Sequence, residues 1–214
     1  MKKLKYIFLL AGALSLASCE SWLDEDPQYT INTKTQFSTV ENAKQALMGC
    51  YGYMSADNAY GQAWQEVTFG YCGFGWSQTN GSSTDLLVSM DGGIDETINT
   101  MAWRGMYKVI GETNAFIANI ADSPLESADK LPMEAAARFL RALAYYNLAV
   151  TYGDVPLKTT PSAHDGVAVP RSPKNEVFEL VRTDWEFAYE NLPEKDDDGF
   201  ATKWAAKAYL GKLC

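Results

Sequence analysis

The chain of 214 residues has one histidine, four cysteines and no CxxC pair, so a zinc site of cysteine and histidine has too few ligands to assemble. The histidine, His164, lies in the loop-like stretch "SAHDGVAVP", where no Ser-His-Asp arrangement of catalytic type is legible. Positive charge is scarce: 18 Lys+Arg face 27 Asp+Glu, for a formal charge of -9. Residues 1–18 hold three of those lysines and no acids, which leaves 15 basic against 27 acidic residues, formally -12. Nucleic-acid binding rests on basic patches that meet phosphate, and none is present. Long apolar runs are missing too. The stretch from Tyr6 to Ala17 counts twelve residues, whereas a membrane-spanning helix needs roughly 20. Acids are plentiful, but no pair is marked out for glycosidase chemistry, which demands two carboxylates at a controlled separation. "MDGGIDE", residues 90–96, departs from the spacing of an EF-hand and reads as a solvated acidic loop. No cofactor motif appears, and the chain reads as a non-enzyme.

What is present begins at the N-terminus. Lys2, Lys3 and Lys5 precede the apolar stretch, and small residues follow it, which is the order of a signal peptide. Leu16-Ala17-Ser18-Cys19 looks like a bacterial lipobox, in which the cysteine is thioether-linked to diacylglycerol and becomes the first residue after cleavage. The reading is a signal peptide over 1–18, lipid attachment at Cys19 and a polar tether over 19–37. The competing reading is an ordinary cleaved signal with an incidental cysteine. Several acyl chains, at about 0.8 kcal/mol per buried methylene, hold a water-folded domain stably at a membrane. Cys50, Cys72 and Cys214 cannot all pair internally and are expected as buried free thiols.

Beyond the tether the pattern is helical. Ser38-Thr39-Val40-Glu41 matches a capping box, and Val40, Ala43, Leu47, Tyr51 and Met54 then form one apolar stripe. Trp103, Tyr107, Ile110, Asn114, Ile117 and Ala121 form a second, stopped by Ser123-Pro124; an amide on that stripe needs partners and is expected to fix helix packing. A third helix is expected from Met133, just after Pro132, to Tyr152, with Gly153-Asp154 ending it. Arg138 and Arg141, three apart on it, are expected to pair with acids of neighbouring helices or with terminal carbonyls. A fourth is expected to start at Ser172-Pro173 and close at Pro193, and a fifth to lie in "ATKWAAKAYLGKLC", where Ala205, Ala206 and Ala208 permit close approach. That last helix ends on an apolar residue without a cap, so the chain reads as a fragment. Between Ala56 and Thr100 the period dissolves into glycine, aromatics, Ser, Asn and Asp, an irregular length of the kind that carries function. The fold class is mostly α: tetratricopeptide-like helical pairs with a long irregular loop region.

Several pieces in order resemble the SusD/RagB family, the surface glycan-binding lipoproteins of Bacteroidetes. They are Cys19 with "SWLDEDP", "FSTVENAKQALMGCYGYM", "WRGMYKVIGETNAFIANI", "ARFLRALAYYNLAVTYGDVPL", "RSPKNEVFELVRTDWEFAYENLP" and "ATKWAAKAYLGKL". The resemblance implies that residues 38–214 are the N-terminal portion of a SusD-like fold, apparently truncated. It implies an outer-membrane lipoprotein facing the cell exterior that captures oligosaccharides without cleaving them and passes them to a SusC-like TonB-dependent transporter. It also makes Asp24, Glu25 and Asp26 resemble a surface-export signal, against the plainer reading of a solvated tether. A sugar presents apolar C–H faces and a ring of hydroxyls, so a binder needs flat aromatics and hydrogen-bonding side chains. The irregular segment offers both. Trp64, Tyr71 and Trp76, with Phe69 and Phe74 beside them, are the candidates for stacking, and Asn80 and Asp85, with Gln78, for hydroxyls. The competing reading keeps these aromatics as local core, in a tetratricopeptide-like adaptor that binds a protein partner or a non-sugar nutrient such as peptide.

Overall fold

The computed structural model describes residues 33–70, 72, 97–161, 169–196 and 199–213. The first stripe folds as helix α2, Val40–Ser55, after a short α1, Thr33–Gln36, and it buries Ala43, Leu47, Cys50 and Met54. Its cap lies one residue beyond the serine expected from the sequence. Thr39 has extended dihedrals, φ -133 and ψ 154, and its hydroxyl accepts the Asn42 N–H at 3.3 Å, while the Ser38 hydroxyl donates to the Thr35 carbonyl at 2.8 Å. The folded part thus reaches back into the stretch read as tether: Phe37 is buried, edge-on to Phe116 at 5.4 Å.

The second stripe becomes α4, Thr97–Ala121, and the third α5, Ser127–Tyr152. Helix α5 begins six residues before the expected Met133, with Pro132 inside it. A proline there removes the N–H that would bond the carbonyl four residues back, on Ala128; that residue is exposed, so water can serve the carbonyl. Gly153, at φ +75, ends the helix as expected. Two short strands, β1 (Val155–Pro156) and β2 (Arg171–Ser172), pair antiparallel and close the connection to α6, Lys174–Asn191. Ser172 belongs to β2, and Pro173 stands before the helix rather than in its first turn. The orphan Lys174 N–H is satisfied from across the turn by Asp154, Oδ1 at 2.9 Å. The last helix, α7, spans Lys203–Leu213; of its three alanines Ala206 is fully buried, whereas Ala208 is exposed.

Side-chain contacts give the directions. Between α4 and α5, Trp103 meets Tyr152, Tyr107 meets Tyr145 and Asn114 meets Arg141. Between α5 and α6, Arg141 meets Asp184, Tyr146 meets Phe178 and Asp154 meets Lys174. One number rises as the other falls in both sets, so the neighbours are antiparallel. Trp185 on Tyr209 and Lys207 on Tyr189 show the same for α6 and α7. The expected helical pairs form, in a consecutive array.

Charge sits inside that array. Arg141 is 6% exposed and Asp184 is sealed completely. The guanidinium reaches both carboxylate oxygens, Nε to Oδ2 at 2.7 Å and Nη2 to Oδ1 at 2.8 Å, and Nη1 donates to Asn114 Oδ1 at 2.8 Å. Asn114 in turn donates to the Lys158 carbonyl at 3.0 Å and the Thr160 carbonyl at 3.3 Å. The amide therefore fixes packing, as its place on an apolar stripe implies. Arg138 bonds Glu134 of its own helix at 2.8 Å, lies over the Phe187 ring at 4.2 Å and reaches Asp184 of α6 only at 3.6 Å, so Arg141 makes the expected close pair with a neighbouring helix while Arg138 pairs chiefly within α5.

The segment expected to be irregular holds two ordered pieces, a π-type turn at Asp57–Gly61 and helix α3, Ala63–Gly70. Eight residues span too little of the 3.6-residue period for the stripe Ala63, Trp64, Val67 to stand out in sequence. The turn lies on α4 at Gly105, where a Cβ would fall 1.9 Å from the Asn58 carbonyl oxygen.

Cys50 is buried and free, as expected, whereas Cys72, two residues past the end of α3, is free and exposed. Burial, aided by the charge of Glu112, pushes the Cys50 thiol from 9.0 up to about 12. The unfolded chain would ionise this thiol first, so its contribution is complete below pH 9.0 and drains away as pH rises toward about 12. The thermal midpoint should fall across that window, and Cys50→Ala should flatten the first part of the decline; an unchanged slope would refute the assignment.

Candidate functional site

Of the residues expected to touch a sugar, Trp64 lies within the described structure. It sits in α3, 6% exposed and packed in the core. A ring sealed to that degree offers no open face for stacking, so this position is a packing one. Tyr71, Trp76, Asn80 and Asp85 lie outside the described residues, as do Cys19, Phe74, Gln78, His164 and residues 90–96. What the structure supplies is the frame from which residues 71–96 depart and to which they return.

That frame is one end of the array. The segment leaves α3 at the buried Gly70 and rejoins at Thr97, the first residue of α4. Because α4 and α5 are antiparallel, the first turns of α4 meet the last turns of α5. Trp103 packs edge-on to Tyr152 at 5.1 Å and tilted on Tyr107 at 5.0 Å, and the Tyr152 hydroxyl donates to the Asn99 carbonyl at 3.4 Å. Trp103, Tyr107 and Tyr152 are half-buried. Phe69, near the end of α3, is 57% exposed.

The chain leaving β1 is pinned to the same end by phenols. Tyr107 donates to the Pro156 carbonyl at 2.7 Å. The Tyr145 hydroxyl donates to the Lys158 carbonyl at 2.8 Å and accepts the Lys158 N–H at 2.6 Å. Tyr60, in the π-type turn, accepts from Asn147 Nδ2 at 2.5 Å. Burial raises the Tyr107 phenol, with the neighbouring Tyr145 as a second cause, and pushes Tyr60 up to about 12. The Tyr107 and Tyr60 hydroxyls stay protonated at neutral pH, Tyr107 holding a backbone carbonyl and Tyr60 the Asn147 amide as neutral partners.

Helices α4 and α5 thus present half-buried aromatic rings and a braced backbone at the end where α4 begins at Thr97 and where the β1–β2 connection emerges. In the sequence Trp103 and Tyr107 lie on a packing stripe and the belt is not legible, since its members come from two helices about 45 residues apart in the chain. The usable signal is the run of rings at the helix ends that border the irregular segment. Among the described residues no group of three or more His, Cys, Asp or Glu could hold a metal, and no helix is long and apolar enough to cross a membrane.

Residues 21–214 match the family described as SusD-like, starch-binding associating with outer membrane. A SusD-like protein P25 from Formosa agariphila is 25% identical over 97% of this chain and 41% of its own length. The crystal structure of a SusD superfamily protein from Bacteroides thetaiotaomicron superposes with a TM-score of 0.72 at 24% identity, over 82% of this chain and 42% of that one. A structure solved with a xylogluco-oligosaccharide superposes with a TM-score of 0.67 at 26% identity, over 78% of this chain and 34% of that one. The chain spans about two fifths of the length of the curated relatives it matches.

Proposed function

The chain belongs to the SusD-like family, and from that premise we propose that it is a surface-exposed lipoprotein that captures oligosaccharides and hands them to a SusC-like TonB-dependent transporter. The observation that carries the sugar is the likeness to a structure solved with a xylogluco-oligosaccharide, over four fifths of this chain. The aromatic belt at the loop end supports it, because the segment richest in rings and amides joins the fold there. In this reading Trp76 and Tyr71 stack on pyranose faces, Asn80 and Asp85 bond hydroxyls, and Trp64 stays a core residue of α3. Cys19 carries the lipid that holds the protein on the outer membrane, with the fold toward the exterior. The protein binds and releases, and it breaks no glycosidic bond.

Calorimetry of the full-length protein against xylogluco- and starch-derived oligosaccharides tests the reading. Trp76→Ala and Asn80→Ala should each weaken binding by about tenfold or more with far-UV helicity unchanged, since tenfold corresponds to about 1.4 kcal/mol, the scale of one ring or hydrogen-bond pair. Loss of helicity in both variants would return these side chains to the core and favour an adaptor. Absence of sugar binding at millimolar ligand would refute the sugar.

A further inference from the structure

At the end of the array away from the aromatic belt, the first turns of α2 and α5 part around a cleft of about 470 Å³. Leu47, Met133 and Phe200 line its apolar interior, and among the described residues the charged side chains of its lining are Glu41, Asp129, Asp196 and Lys44. All four charged residues are exposed. Met48, on the lip, is 56% exposed, the kind of adaptable apolar contact that suits a protein partner. The space is large enough for a bound group, and the rim repels anions.

We propose that this cleft docks a partner protein through a short segment that inserts an apolar side chain between α2 and α5 and sets lysine or arginine against Glu41, Asp129 and Asp196. Charge complementarity selects this occupant. An anionic lipid surface or a nucleic acid meets three carboxylates at the rim, whereas a basic segment gains from the same field and from the net charge of -9 behind it. A second copy, offering its basic helix α7, is the competing occupant. The site lies at the other end of α5 from the sugar frame and stands whether or not a sugar binds.

Methionine methyls report on it directly. The full chain, labelled with carbon-13 at methionine methyls, is titrated with a short amphipathic leucine–lysine peptide and, separately, with a leucine–glutamate peptide of the same length. The Met48 and Met133 signals should move with the first peptide, while Met54 and Met106, in the core, stay still. Asp129→Lys together with Asp196→Lys should weaken binding about tenfold or more, and Glu176→Lys with Glu179→Lys on α6 should leave it unchanged. Equal weakening by both pairs, equal binding of the glutamate peptide, or no shift at millimolar peptide would overturn the proposal. So would a dimer in sedimentation whose Met48 and Met133 signals already depend on protein concentration without peptide.

Discussion

Asp184→Asn should lower folding stability by about 3–5 kcal/mol, the cost of leaving a buried charge without its partner. The carboxylate is completely buried and takes two hydrogen bonds from Arg141, which is itself 6% exposed. Asparagine keeps the shape but removes the charge, and its amide turns N–H toward guanidinium N–H. The damage should travel: Arg141 also holds Asn114, and Asn114 holds the carbonyls of Lys158 and Thr160. Urea unfolding followed by tryptophan fluorescence measures the loss, with the slope against denaturant unchanged if the fold remains two-state. Replacing both partners, Arg141→Met with Asp184→Leu, should recover most of it, because a matched apolar pair carries no desolvated charge. A loss below about 1 kcal/mol in the single variant would show that the pair is hydrated.

Gly105→Ala should destabilise by about 3 kcal/mol, at the upper end of what overpacking costs. The sign is the informative part. In an exposed helix the same change gains up to about 1 kcal/mol, since alanine is the better helix former. At Gly105 the new methyl would stand 1.9 Å from the Asn58 oxygen and 2.4 Å from its carbonyl carbon, both backbone atoms that cannot rotate away. The turn at Asp57–Gly61 must shift, and with it the Tyr60 hydroxyl that Asn147 bonds. Gly49→Ala in α2, where nothing lies within 4 Å of the added carbon, is the control and should stabilise slightly. Thermal melts of the two variants moving in the same direction would mean that the turn yields without cost.

The helices α2, α4, α5, α6 and α7 are legible because each buries one stripe, and the 3.6-residue period survives in the order of side chains. Their starts are less legible because the deciding atoms lie elsewhere in the chain. Asp154 caps α6 from the far side of a β-turned connection, and Pro132 is tolerated inside α5 because the carbonyl it would leave unpaired faces water. Arg141 could be assigned an acidic partner from its type, but nothing local names Asp184, 43 residues away. The sugar candidates follow from residue chemistry in the irregular segment, and Trp64 shows the limit of that approach. A tryptophan suited to stacking is equally suited to filling a core, and the stripe it shares with Ala63 and Val67 decides for the core.

Helix α5 has 26 residues, and at 1.5 Å per residue it is a shaft of about 39 Å. The aromatic belt lies at one end of it and the acidic cleft at the other, so a guest at either end is out of reach of a guest at the opposite one. Whatever one end is to learn of the other must pass along the shaft as a tilt or a twist, and the bolt that ties it to α4 and α6, Arg141, sits near its midpoint.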